Sequence, residues 1–204
     1  MKIVCIGRNY ADHAKEMGSE VPQEPVIFMK PDSALLRNNA PFFIPEWSDN
    51  IHYETELVVK INRLGKNISE KFAHKYYDEI GLGVDFTARD IQEKCKEKGL
   101  PWERAKAFDG SAVIGEYFIN KTEFPDLTNI DFHLEINGET KQSGNTKDML
   151  FSIDKIIAEV SKYFTLKIGD LIYTGTPVGV GKVNINDDLK GFIEDQCLFN
   201  FKVK

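Results

Sequence analysis

The segment FHLEINGETKQS constrains the fold most: Asn137-Gly138 separates two runs in which apolar and polar residues alternate. An Asn-Gly pair accepts the left-handed backbone of a tight two-residue turn, so the two runs are read as paired antiparallel strands. Other short segments follow the same pattern. Lys2–Ile6, Val26–Met29, GLGVDF and DLIYTG read as short buried strands, and the terminal run CLFNFKV alternates as a paired strand does. The longest strand runs from about His52 to Ile61 and ends at a turn near Arg63–Lys66. From Asp32 to Asn50 the chain carries Pro41, Pro45 and Asn38-Asn39, which predicts loop and extended chain.

Helical signals are few and brief. Ala11 to Met17 forms a short helix with Gly18 in the position that favours a left-handed residue. Lys71 to Tyr77 is read as helical, and ARDIQEKCKEKG as a helix closed by Gly99. Ser152 caps an amphipathic helix with Ile153, Ile156, Ile157 and Val160 on one face. The expected fold class is therefore mainly β with short helices (α+β), in one domain spanning residues 1–204, a length that builds one large core better than two small ones.

Composition excludes several function classes. A net charge of −6 provides no overall basic field, so nucleic acid is not an expected partner. No apolar run reaches membrane-spanning length, and MKIVCIG is too short an apolar run for a signal peptide. Cys5, Cys95 and Cys197 are odd in number, far apart and without a CxxC, which suits a reducing compartment; a cytoplasmic location is expected.

Chemistry concentrates in four constellations. Glu54 and Glu56 are two apart on the long strand, so both point to one face, opposite Thr55, Leu57 and Val59. Asp85 ends the apolar run GLGV, where an acid is costly unless paired or coordinating. Three converging carboxylates make a hard-oxygen site suited to Mg²⁺, Mn²⁺ or Ca²⁺, although an ExE pair alone also describes an ordinary solvent-facing strand. His13 and Glu16, three apart on the first helix, are side-chain neighbours of the kind a general base uses, or a solvated surface pair. Lys30, Arg89 and Lys106 supply cations, with Gln92 one turn after Arg89 and both near a helix N-terminus suited to a carboxylate. Thr174-Gly175-Thr176-Pro177 ends a strand with hydroxyls and backbone N–H groups that can cradle an anion. His52, His74 and His133 form no ligand pattern and are given no role.

The order GRNYADHAKEM, FMKP, HYETEL, GVDFTARDIQ, KGLPWERAKAFDGS and YTGTPVGVG resembles the fumarylacetoacetate hydrolase family along nearly the whole chain. The likeness is greatest to its short branch of acylpyruvate hydrolases and oxaloacetate decarboxylases. The resemblance implies a mixed β-roll of that family's C-terminal-domain type, and a homodimer. It implies Mg²⁺ or Mn²⁺ (Ca²⁺ in a crystal) on Glu54, Glu56 and Asp85, and a water-activating dyad of His13 and Glu16 on a segment that closes over substrate. Lys106 matches the active-site lysine, and Arg89, Gln92 and Thr176 match positions near the bound oxo acid; Lys30 is placed with them as a substrate-binding cation. The extra N-terminal domain of the true fumarylacetoacetases has no counterpart in these motifs, which points to a small substrate.

The implied reaction is cleavage of the C3–C4 bond of a small 2-oxo acid through a metal-stabilised pyruvate enolate. Hydrolysis of a 3-acylpyruvate comes first, with decarboxylation of oxaloacetate at the same site. Isomerisation of 2-hydroxy-dienoates or oxaloacetate is the alternative within the family, and a noncatalytic metal-binding β protein the alternative outside it.

Overall fold

The computed structural model describes residues 1–18 and 20–204. Strand outweighs helix, 37% to 22%, and the longest helix is the 11-residue Ile153–Tyr163, so sheets organise the molecule. Eight strands form the main sheet. Its path runs Val26–Lys30, Ile3–Gly7, Leu171–Tyr173, Thr55–Ile61, Tyr77–Asp85, Ala112–Ile114, Leu35–Leu36, with Ile119–Asn120 also on Tyr77–Asp85. Leu57, Val58 and Val59 are all fully buried because this sheet is covered on both faces: Leu57 and Val59 join the larger core cluster, Val58 the smaller one with Ile3, Cys5 and Tyr173.

Strand direction gathers the site. Ile3–Gly7 runs parallel to Leu171–Tyr173, Thr55–Ile61 runs antiparallel to it, and Tyr77–Asp85 runs antiparallel to Thr55–Ile61. The C-terminal ends of three strands and the N-terminal end of the fourth therefore meet at one edge. Residues just past Gly7, just past Tyr173, at the start of Thr55–Ile61 and at Asp85 come together there.

The Asn-Gly hairpin forms as read. Asp131–Ile136 pairs with Glu139–Asn145 across Asn137 and Gly138, which have φ of 55° and 82°. With Asp188–Ile193 and Gln196–Lys202 these strands make a four-stranded sheet, so the alternating terminal run is paired as expected.

Two expectations are corrected. The long strand from His52 to Ile61 is broken at Glu54 into Ile51–Tyr53 and Thr55–Ile61. The first piece pairs with Gly181–Lys182 and Thr87–Ala88 in a separate small sheet, and one straight strand could not serve both sheets. The helix expected from Lys71 to Tyr77 is only the single turn Glu70–Ala73; Tyr77 instead opens the strand paired with Thr55–Ile61, and that pairing overrides local preference.

The remaining helices follow their signals. Gly18 and Gly99 adopt φ of 59° and 61° beyond the helices Ala11–Glu16 and Arg89–Lys98. Ser152 Oγ accepts from the Lys155 N–H at 3.2 Å, and Ile153, Ile156, Ile157 and Val160 are buried. The three cysteines are free. Among the described residues no helix is long and apolar enough to cross a membrane.

Candidate active site

At the gathered sheet edge lies a narrow cleft that opens to solvent. Its floor holds Glu54, Glu56 and Asp85, each at most 5% exposed, with one oxygen from each lying within 4.8 Å of the others. Opposite oxygens around a divalent ion stand about 4.0–5.2 Å apart, twice an M–O distance of ~2.0–2.6 Å. The donors are therefore spaced as a hard cation needs them, even though the strand they share breaks at Glu54.

Each carboxylate is held differently. Glu54 accepts from Arg89 at 2.5 Å and from the Lys106 ammonium at 2.7 Å. Burial opposes its ionisation, but Lys106 and Arg89 outweigh that and hold its carboxyl well below the usual range. Asp85 Oδ2 accepts from the same Lys106 ammonium at 2.7 Å. Asp85 Oδ1 forms an ion pair with the Lys30 ammonium at 2.7 Å. Glu56 accepts from the Gly175 N–H at 2.7 Å; burial, then the charges of Asp85 and Glu54, push its carboxyl well above the usual range. A buried acid raised by two acidic neighbours, with one oxygen from each of the three within 4.8 Å, fits a divalent cation.

Gly175 is fixed by geometry. Its φ is +103°, and a Cβ there would stand 2.6 Å from the Cβ of Asn9. Asn9 is fully buried and ties three segments together, donating to the carbonyls of Phe151 and Thr174 and accepting from the Phe151 N–H. Gln142 does the same on the other side, accepting from the Thr55 N–H and donating to Thr176 Oγ1 and the Pro177 carbonyl.

His13, Arg89, Gln92, Lys106 and Thr176 line the same cleft as the three acids. His13 is 6% exposed, and its Nδ1 lies 3.0 Å from Glu16 Oε2; Glu16 Oε1 in turn accepts from the Gly179 N–H at 3.1 Å. Arg89 donates to Gln92 at 2.7 Å as well as to Glu54.

Lys30 is corrected. It is not on the cleft wall; its ammonium faces Asp85 and donates to the carbonyls of Phe86, Lys106 and Ser111 and to Ser111 Oγ. With those acceptors filled and the side chain fully enclosed, it props the turn after Glu103–Lys106 instead of meeting a ligand. His52 stays outside the cleft wall, bonded to Asn50.

Sequence reasoning missed Arg8, Phe28, Lys96 and Trp102, which also line the cleft. Phe28 sits on an apolar strand and Trp102 opens a single helical turn, so neither carries a local signal of function. Lys96 had one: it lies seven residues after Arg89, on the same face of the helix.

A curled, mostly β fold thus brings three buried acids together at the edge of a cleft whose walls carry cations. A sequence profile described as fumarylacetoacetate (FAA) hydrolase C-terminal matches residues 2–199, and the chain belongs to this family. It is 44% identical over 202 residues to the human protein named oxaloacetate tautomerase FAHD1, mitochondrial, covering 99% of this chain and 91% of that one. It is 46% identical over 189 residues to oxaloacetate tautomerase YcgM of Escherichia coli, covering 92% and 86%. A solved structure of fumarylpyruvate hydrolase from Pseudomonas aeruginosa, in complex with Mn²⁺ and pyruvate, superposes with a TM-score of 0.93 at 34% identity, covering 100% of this chain and 89% of that one. The mixed β-roll expected from the family resemblance is thus the fold observed.

Proposed function

We propose that this protein is a divalent-metal-dependent enzyme that interconverts the enol and keto forms of oxaloacetate or a closely similar small 2-oxo acid. The carrying observation is the floor of the cleft: three buried carboxylates with oxygens within 4.8 Å, flanked by Arg89 and Lys106 and facing His13. The names of its 44–46% identical relatives support oxaloacetate as the substrate.

Glu54, Glu56 and Asp85 would hold Mg²⁺ or Mn²⁺, which supplies Lewis-acid polarisation of the 2-oxo oxygen. Lys106 places a buried ammonium where negative charge develops on that oxygen. Arg89, Gln92 and Thr176 orient the adjoining carboxylate. His13, oriented at Nδ1 by Glu16, moves the proton at C3 through its other nitrogen. In ketonisation the enol O–H loses its proton, the electron pair re-forms the C2 carbonyl and C3 gains a proton. Nothing is oxidised.

Hydrolysis of 3-acylpyruvates, placed first by the sequence reading, becomes the second reading. The partly exposed Glu16, its side chain 29% accessible, favours it, because the dyad it forms with His13 can take a proton from water. That water would attack the C4 carbonyl, the C3–C4 bond would break, and pyruvate enolate would leave to be protonated. A homodimer, implied by the family resemblance, belongs to the same proposal and is read from sedimentation as twice 23.2 kDa.

The test is a substrate panel with Mg²⁺- or Mn²⁺-loaded protein: enol-oxaloacetate followed by its ultraviolet absorbance, then acetylpyruvate, fumarylpyruvate and a 2-hydroxy-dienoate. Acceleration of oxaloacetate ketonisation that disappears with EDTA is expected. Cleavage of acylpyruvates without that acceleration puts the second reading first. Inertness toward all four substrates overturns both.

A further inference from the structure

We propose that Arg8 and Lys96 form a second carboxylate subsite in the wall of the cleft, selecting 2-oxo acids that carry a second carboxylate. The inference rests on the functional reading above and narrows its substrate class.

The helix Arg89–Lys98 supplies the geometry. Arg89, Gln92 and Lys96 follow at i, i+3 and i+7, one stripe of the helix, and all three line the cleft. The stripe begins at the acidic floor, where Arg89 donates to Glu54 and to Gln92. It continues to Lys96, a largely exposed residue. Arg8 enters the same cleft from the sheet edge, directly after the strand Ile3–Gly7. It holds a φ of +60°, unusual for a residue with a side chain, and the triple anchoring of Asn9 fixes the backbone beside it.

Charge counting shows what the two cations are free to do. On the floor, Arg89 and Lys106 pair with Glu54, and Lys30 and Lys106 with Asp85, so all three cations are engaged. Among the described residues neither the Arg8 nor the Lys96 side chain has an ion-pair or hydrogen-bond partner. Both line one cleft, and the affinity of Lys96 for its proton is lowered by partial burial, then by Arg89 and Arg8, with Glu54 opposing. Two cations on one cleft wall, neither side chain bonded to a carboxylate, are set for an anion, and a guanidinium with an ammonium suits a carboxylate. The metal end of the cleft takes the 2-oxo acid unit, leaving a second carboxylate on the substrate as the group to meet them.

The experiment compares Arg8→Asn, Arg8→Lys and Lys96→Gln with wild type. Asparagine tolerates the left-handed backbone, so the loop is preserved. Steady-state kinetics on oxaloacetate and acetylpyruvate are combined with calorimetric titration of the Mg²⁺-loaded protein by oxamate and by N-oxalylglycine. These two probes share the oxamate unit, and only the second has a further carboxylate. In wild type N-oxalylglycine binds tighter than oxamate. Arg8→Asn removes about tenfold of that preference, the scale of one charge-assisted hydrogen bond, Lys96→Gln somewhat less, and Arg8→Lys restores part of it. On substrates, KM for oxaloacetate rises more than KM for acetylpyruvate by a similar factor, with kcat little altered. Equal weakening of both probes, or none, overturns the subsite while leaving the proposed function intact. A wild-type protein that binds both probes with the expected preference but turns over no oxo acid overturns the function while leaving the subsite intact. A wild type that does not prefer N-oxalylglycine overturns the subsite outright.

Discussion

Lys106 donates to Glu54 and Asp85 at once, so one ammonium bridges two of the three acids that would hold the metal. Lys106→Met is expected to lower kcat on every substrate by about 10²-fold or more, because it removes positive charge from where an enolate forms. His13→Ala separates the two readings of function. As the group that moves the C3 proton, His13 is needed for oxaloacetate ketonisation and the variant loses about 10²-fold there; as the base that activates water it is needed for acylpyruvate cleavage, and that loss is the larger. Equal losses on both substrates would assign it to enolate protonation. Glu56 yields a test independent of turnover. Its pKa is raised in the fold above the ~4.3 of an unfolded glutamate, so the metal-free native state binds more protons and loses stability as pH rises above that value. Glu54 has the opposite shift, and its contribution is already complete above ~4.3, so it adds no slope between pH 5 and 8. In EDTA, Glu56→Gln should therefore melt a few degrees above wild type at pH 8 and approach it at pH 5, while no longer binding metal. A variant that melts below wild type at pH 8 would remove the strain assigned to this carboxyl.

Among the elements, two left-handed glycines separate a local cost from a tertiary one. Gly99 ends the helix Arg89–Lys98 with φ +61° and open space around a would-be Cβ, so Gly99→Ala should cost only about 1 kcal/mol of backbone strain. Gly175 has φ +103° and no room, with the Asn9 Cβ 2.6 Å away, and its N–H holds Glu56. Gly175→Ala should cost on the order of 3 kcal/mol or more and weaken metal binding with it, because the strand Leu171–Tyr173 cannot shift without moving its neighbours. Urea denaturation of both variants, with and without Mg²⁺, measures the difference. A Gly175→Ala protein that binds Mg²⁺ as wild type does would contradict the role given to this turn.

Across the whole molecule, the cleft is assembled from segments as far apart in sequence as His13 and Thr176, while a bound ion would tie together the start of Thr55–Ile61 and the end of Tyr77–Asp85. An ion that binds only the folded state stabilises by about 2.7 kcal/mol at a hundred times its Kd, or roughly 5–10 °C in Tm for a chain this long. Thermal melts in EDTA and in Mg²⁺ or Mn²⁺ should differ by that amount. In Glu54→Gln or Asp85→Asn the two melts should coincide, and a persisting shift would place the ion elsewhere.

Local chemistry carried much of the fold into the sequence. The Asn137-Gly138 hairpin, the Ser152 cap, Gly18 and Gly99 were legible because each depends on a few adjacent residues and their backbone preferences. The Glu54, Glu56 and Asp85 set was legible because acids in apolar strand segments are costly unless something compensates them. Other features depended on partners far along the chain. The break at Glu54 arises because Ile51–Tyr53 and Thr55–Ile61 join different sheets. Lys30 looked like a ligand cation until the carbonyls of Phe86, Lys106 and Ser111 closed around it. Arg8 and Lys96, 88 positions apart in the chain, share a cleft only because the strand Ile3–Gly7 and the helix Arg89–Lys98 are packed to one edge. Sequence by itself determined which residues could not be left alone, through backbone preference and the cost of buried charge; only the tertiary structure decided which groups would meet them, because sheet pairing sets long-range neighbours that no local pattern encodes.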